Sequence, residues 1–272
     1  MRRSWLFVPG ADQAAHAAAA RSGADVIVLE LEDFTPPELR AKARAFAGEA
    51  FARWRRAGAV AAVRVNPLET CGRDDLRVVM LARPDVVMMS KVASPDQVRS
   101  LAELAPDAEL VPNVETAAGL LNAFQIGRAN PRVTAMLVAS EDMVADLGTS
   151  RSRRGEELAY VRARFLVECR AAGVEAIDCP YTFSDVRGAV ADARYARRLG
   201  YRMKSLVDPS HARAINKVFT ASAKELAHAR KIVSAFEKAR AAGKDRAKVD
   251  GALIEVPIYA AAKRLLESAA RS

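Results

Sequence analysis

Histidine is nearly absent from this 272-residue chain: only His16, His211 and His228 occur, and none closes an apolar run. A zinc centre built on imidazoles and a Ser/His/Asp relay are therefore not expected. Cysteine is scarce as well. Cys71, Cys169 and Cys179 are scattered, odd in number and not spaced as metal pairs, which argues against a disulfide framework or a zinc knuckle and fits a reducing compartment. No apolar run reaches the roughly 18 residues needed to cross a bilayer. The start, Met1-Arg2-Arg3-Ser4-Trp5, leads straight into a strand pattern with no long hydrophobic leader or cleavage site, so a soluble, cytoplasmic protein without membrane contact is expected. Also missing is a dense basic tract interleaved with aromatics. The net charge of +9 comes with arginines spread along helical patterns, so no nucleic-acid partner is expected, although the excess would attract a phosphorylated cofactor or a di-acid.

What the chain has is apolar substance, 51% of its residues, enough for one large core of the α/β-barrel size. Short Val/Ile/Leu-rich runs predict strands over 4–8, 26–31, 60–65, 86–91, 109–111 with an extension to 115, 134–139, 175–178 and 204–207. Between them, Ala-rich helical patterns cover 12–21, 37–56, 95–104, 117–125, 156–172 and 186–199. Ser94-Pro95 caps one helix start, and Gly173 and Gly200 follow two helix ends. Alternating strands and helices imply parallel crossovers. A (β/α)8 TIM barrel over residues 1–220 is expected, with a doubly wound open sheet as the competitor. Past Pro209 the pattern becomes helical, and residues 221–272 form an extension with a long charged segment over 221–242, a Gly243-Lys244-Asp245 break and a second helical stretch over 249–272. This C-terminal helical extension either caps its own barrel or reaches a neighbouring subunit.

The strand ends carry the chemistry. Polar groups close most apolar runs: Glu30-Leu31-Glu32-Asp33, Arg64-Val65-Asn66, Ser90-Lys91, Asn113-Val114-Glu115, Glu141-Asp142 and Asp178. Strands buried on both faces with polar groups at one end build a shared polar floor. Adjacent strands lie about 4.8 Å apart, so Glu115 and Asp142 can converge on one hard cation. Two carboxylates completed by water and substrate oxygens suit Mg²⁺; singly, each acid would also serve as a helix cap. Arg64 is the candidate clamp for a substrate carboxylate, with an internal ion pair to Glu30, Glu32 or Asp33 as its structural alternative. Lys91 poses the same choice. Glu32 and Asp33 should face opposite ways if the strand continues through them. Pro9-Gly10 makes a turn whose amides offer an anion cradle to substrate, and Met143 to Gly148 offer further amides beside the proposed cation.

These residues, in this order, resemble the HpcH/HpaI aldolase and citrate lyase superfamily, and within it the citrate lyase β-subunit-like branch. The likeness covers nearly the whole chain. It rests on Leu6-Phe7-Val8-Pro9-Gly10, Gly23-Ala24-Asp25 through Leu31-Glu32-Asp33, Val63-Arg64-Val65-Asn66, Val114-Glu115-Thr116-Ala117, Glu141-Asp142, Ala145-Asp146-Leu147-Gly148 and Ile177-Asp178. The resemblance implies a barrel enzyme, trimeric or a dimer of trimers, that uses Mg²⁺ or Mn²⁺ to make or break a carbon–carbon bond between a 2-oxo acid and an acyl-CoA thioester. Malyl-CoA, methylmalyl-CoA and citramalyl-CoA are the implied thioesters. It also implies Glu115 and Asp142 as metal ligands, Arg64 as the oxo-acid clamp, and Glu32 and Asp33 as support for the metal's water shell. The family's tail carries an acid in a Gly-x-x-x-Asp-x-Pro context over a neighbour's site. Here Gly251-Ala252-Leu253-Ile254-Glu255-Val256-Pro257 puts Glu255 at that position.

Six positions depart from the family pattern: Glu30 replaces Asp, His16 stands near a frequent lysine, Phe34-Thr35 replaces a small residue and Val, Met203 replaces Gly, and Asp208 replaces His. The metal and clamp positions are kept. Malyl-CoA-type thioester hydrolysis, a class II aldolase acting on a free hydroxy-oxo acid, and a catalytically silent binding protein are the alternatives.

Overall fold

In the computed structural model, which describes residues 2–270, the chain forms two compact units, 2–219 and 220 onward. The first is a closed barrel of eight parallel strands in sequence order: β1 Ser4–Pro9, β2 Val26–Glu30, β3 Val60–Val65, β4 Val86–Met89, β5 Glu109–Val114, β6 Ala135–Val138, β7 Glu175–Asp178 and β8 Met203–Leu206. Closure is made by β1 pairing with β8, Trp5 standing opposite Ser205, so no strand edge is left bare.

Each strand is apolar on both faces because each face meets a different core. One set of alternate residues, including Trp5, Phe7, Val26, Val28, Ala62, Met88, Val111, Leu137 and Ile177, forms a single buried cluster; the other set, including Leu6, Val8, Ile27, Leu29, Val63 and Val87, packs with the helices. Ordinary helix chemistry bounds the helices. Ser94 and Gln97 form a reciprocal capping box at the start of Pro95–Leu104, and Gly173 and Gly200 end Ala159–Ala172 and Val186–Leu199 in left-handed conformations.

The structure departs from the sequence reading in four places. The expected helix over 37–56 is a 3-10 turn, Pro37–Leu39, followed by helices Arg40–Ala45 and Ala47–Arg56. The junction is Phe46, whose N–H is shared between the carbonyls of Lys42 and Ala43 and so tightens the turn. The stretch over 117–125 likewise divides, at Asn122. Helices Gly72–Val79 and Glu141–Asp146 were not anticipated.

The fourth departure lies in the C-terminal unit. Helix Ala223–Ala241 is followed not by helix alone but by an antiparallel hairpin, β9 Ala247–Val249 and β10 Ala252–Ile254, and then by helix Val256–Ala270. Asp250 and Gly251, with φ of 48° and 85°, form the two-residue turn, both in the region that right-twisted hairpins require. This unit has its own small core of Ala229, Ile232, Phe236, Val249, Ile254 and Ala262, and Tyr259 stacks on Phe236 at 4.7 Å.

Candidate active site

The strand ends gather a cluster of charge at the C-terminal mouth of the barrel. Arg64, next to last in β3, is almost fully buried, and four carboxylates surround its guanidinium. Its Nε donates to Glu30 Oε1 at 2.9 Å; Glu32 lies at 3.3 Å, Glu115 at 3.6 Å and Asp33 at 3.8 Å. Burial alone would weaken its charge, but these acids outweigh that and raise its pKa above the ordinary value. Both alternatives read from the sequence thus coexist at Arg64: it is internally paired, and it stands in the mouth.

A second cation sits across the cluster. Lys91 follows β4 with φ of 53°, a left-handed conformation rare for a side chain of this size. The ladder continues on both sides of it, through Ser90 N–H to Val65 O and Val92 N–H to Asn113 O. Lys91 Nζ donates to Glu32 Oε1 at 2.7 Å and lies 3.7 Å from Asp142 and 4.0 Å from Asp33. It therefore links the loop after β2 to the first turn of helix Glu141–Asp146.

Glu115 stands directly after β5 and is fully buried, yet neither of its carboxylate oxygens has a hydrogen-bond partner. Burial, opposed by Arg64 and reinforced by Glu32 and Asp142, pushes its carboxyl up to about 8. Asn113, two residues earlier and also fully buried, has both amide atoms unpartnered. Buried polar atoms are rarely left open in folded proteins unless a ligand or water completes them. A hard divalent cation fits these acceptors: it would restore the ionised state of Glu115 and take oxygen ligands from Glu115 and Asp142. Among the described residues, no group of three or more His, Cys, Asp or Glu side chains gathers to cage an ion. A two-carboxylate Mg²⁺ site that keeps most of its water needs no such cage.

Other expected site residues are placed differently. Glu32 and Asp33 do not face opposite ways; both reach Arg64 and Lys91, because β2 ends at Glu30 and the strand alternation stops there. The Glu30 carboxylate ends it by accepting the N–H groups of Glu32 at 2.6 Å and Phe34 at 2.7 Å. Gly10 does not present its amide to a ligand. That N–H is taken by Glu30 O at 3.0 Å and Thr35 Oγ1 at 2.9 Å, and the residue is glycine because a Cβ would come within 2.6 Å of the same carbonyl. Pro9 has no amide hydrogen, and its carbonyl accepts from Asp12 N–H and contacts His16 Nε2. The Met143 side chain is buried in the hydrophobic core, which leaves only its first-turn amide to face a substrate. Asp178 is not part of the polar floor: it turns outward to Arg162 and Lys204. Glu255 begins helix Val256–Ala270 with its side chain about half exposed, 3.8 Å from Arg246.

A parallel barrel whose C-terminal mouth gathers a guanidinium, an ammonium and acids with open oxygens has the layout of a barrel enzyme's active site. Comparison with known proteins makes the class specific. The chain belongs to the HpcH/HpaI aldolase/citrate lyase family, whose model matches residues 3–209. It is 30% identical to the citrate lyase subunit beta of Leuconostoc mesenteroides subsp. cremoris over 99% of this chain and 93% of that one. It is 34% identical to a (3S)-malyl-CoA thioesterase of Cereibacter sphaeroides over 93% of this chain and 89% of that one. Among solved structures, the CitE protein of Mycobacterium tuberculosis in complex with magnesium, acetoacetate and coenzyme A superposes with a TM-score of 0.82 at 28% identity, covering 98% of both chains. The protein is thus an enzyme of a family of lyases and CoA-ester enzymes. No helix among the described residues is long and apolar enough to cross a membrane.

Proposed function

We propose that this enzyme cleaves or forms the carbon–carbon bond of a 3-hydroxyacyl thioester of the malyl-, methylmalyl- or citramalyl-CoA type, with a 2-oxo acid and an acyl-CoA on the other side of the reaction. The observation that carries this reading is Glu115, a buried carboxylate with both oxygens open beside Arg64. Glu115 and Asp142 would hold Mg²⁺ or Mn²⁺. Bound there, the ion supplies Lewis acidity toward the oxo-acid oxygens, stabilising the carbonyl that forms and lowering the pKa of the hydroxyl.

The protein's own groups do the rest. Arg64 clamps the oxo-acid carboxylate, for which its planar fork is the natural partner. Glu32 and Asp33 accept hydrogen bonds from water around the cation. In cleavage the hydroxyl proton passes to a base, the carbon–carbon bond breaks, and its electron pair moves into the acyl-CoA enolate, which is then protonated. Glu255 is the acid/base we assign, delivered by a neighbouring copy in a homotrimer or a dimer of trimers; its place in the Gly251-to-Pro257 motif and its exposure support this. Because the Gly10 amide is already used, donors for the enolate oxygen come from elsewhere, with the Met143 amide as one source.

A second reading is thioester hydrolysis by the same constellation, favoured by the likeness to malyl-CoA thioesterase. Product analysis on (3S)-malyl-CoA with Mg²⁺ separates the two. Acetyl-CoA with glyoxylate marks the lyase, whereas free CoA with malate marks the hydrolase; turnover independent of divalent cation would end both.

A further inference from the structure

We infer that Glu30 is the positioning residue of the clamp: it sets where the Arg64 guanidinium points and, with the same carboxylate, folds the loop that carries Glu32 and Asp33. The inference rests on the reading of Arg64 as the oxo-acid clamp. Glu30 is completely buried at the end of β2, and both of its oxygens are occupied. Oε1 accepts from Arg64 Nε and from Glu32 N–H, and Oε2 from Phe34 N–H. Its backbone carbonyl is also engaged, by the Gly10 amide and by Thr35 Oγ1 at 2.5 Å. A carboxylate with no open oxygen is neither a metal ligand nor a base. Its work is geometric.

The distribution of the arginine's hydrogens gives that geometry a function. Glu30 takes Nε, on the inner edge of the guanidinium, whereas Nη1 and Nη2 meet only ion-pair neighbours at 3.3 to 3.8 Å. Holding Nε fixes the plane of the fork, and the two Nη groups remain as the pair that a substrate carboxylate can take. Phe7 and Phe34 flank the guanidinium, 5.2 Å and 6.0 Å from its carbon, so Glu30 supplies an in-plane restraint that ring contacts do not. The extra methylene of glutamate over aspartate matters here, because one carboxylate must span two loop amides and the arginine on the neighbouring strand.

The test uses oxalate, a planar mimic of the 2-oxo-acid end, titrated calorimetrically into the intact enzyme at saturating Mg²⁺. Glu30→Asp and Glu30→Gln are expected to weaken oxalate at least tenfold while Mg²⁺ affinity, measured without oxalate, changes less than threefold. KM for the oxo acid should rise more than kcat falls. On an Arg64→Ala background, Glu30→Gln should cost oxalate much less than it does in the native enzyme, since the residue acts on oxalate chiefly through the arginine. Retention of the Mg²⁺ affinity certifies the folded site, and Glu30→Asp, which keeps the charge, carries the test should Glu30→Gln fail to fold. Native oxalate affinity in Glu30→Asp, or a loss that adds in full to that of Arg64→Ala, overturns the inference while leaving the clamp in place. An Arg64→Ala enzyme that binds oxalate normally instead removes the clamp reading, and this inference with it.

Discussion

Two buried charge clusters in this barrel are made of the same residue types and end in opposite states. Between β7, β8 and the flanking helices, Arg162 grips Asp178 through two bonds of 2.8 and 2.7 Å and reaches Asp192 at 2.8 Å. Lys204, fully buried, binds Asp178 at 2.5 Å, Asp192 at 2.6 Å and the Cys179 carbonyl. Two cations meet two anions, and every carboxylate oxygen is taken. At the mouth, by contrast, Arg64 and Lys91 face five acids: Glu30, Glu32, Asp33, Glu115 and Asp142. Full ionisation there leaves three negative charges in excess, and Glu115 keeps both oxygens open. A balanced network is a staple. An unbalanced one is suited to receive positive charge, and on the proposed function the imbalance rather than the burial separates site from scaffold.

Glu115→Gln breaks the comparison where the effect should be largest. Removing this acceptor should weaken Mg²⁺ by roughly a hundredfold or more and abolish most of the activity. It should also stabilise the metal-free protein. Between its ordinary value of 4.5 and about 8, the folded state keeps a Glu115 proton that the unfolded chain releases. The favourable contribution is therefore complete below the lower value and lost as pH rises to the upper one, by up to about 5 kcal/mol. Glutamine does not titrate, so the stability gap between variant and native protein in EDTA should widen from pH 5 to pH 8. Urea melts at the two pH values read it, and a flat or inverted gap would mean that Glu115 is not held neutral in the metal-free fold.

The balanced cluster should respond in the other sense. Lys204→Met leaves Asp178 and Asp192 partly unpaired in the interior, a loss of about 3–5 kcal/mol. Mg²⁺ affinity and turnover per folded molecule should stay native. Denaturant unfolding and calorimetry on one preparation measure both, and a variant that loses cation affinity before stability would tie this cluster to the site.

How much of this the sequence displays depends on the kind of signal. The barrel is legible because strands buried on both faces read as plain apolar runs, and all eight lie within a few residues of their expected bounds. Arg64, Glu32, Asp33, Glu115 and Asp142 are legible as a gathering because charge at the end of such runs must be paired or used. What escapes is orientation. Asp178 ends its run as Glu115 follows its own, but strand register turns it to the helices, and the apolar pattern carries no register. Glu30 is legible as a strand-end acid and a candidate partner of Arg64, but its hold on the Glu32 and Phe34 amides is not, since that depends on the chain leaving the strand at Leu31. The left-handed backbone of Lys91 has no sequence mark, because no glycine or asparagine announces it. The tail hairpin turns on Asp250-Gly251, a hairpin dipeptide that the helical composition on either side outweighs in the pattern.

The finest discrimination between the clusters comes from Lys91. Its ammonium lies among Glu32, Asp33 and Asp142; burial opposes its charge, but the Glu32 hydrogen bond and the three acids hold its pKa above the ordinary value. A divalent ion on Asp142 would meet that charge a few ångströms away. At an effective dielectric of 20 two unit charges 4 Å apart repel by about 4 kcal/mol, and solvent around a lysine this exposed reduces the effect to about 1 kcal/mol. Lys91→Met should therefore tighten Mg²⁺ by about fivefold, a change calorimetry at fixed ionic strength resolves. Weaker binding in the variant would carry the opposite lesson: Lys91 would then serve the cation by holding Glu32 in place, and the mouth would contain a staple of its own inside the receptor.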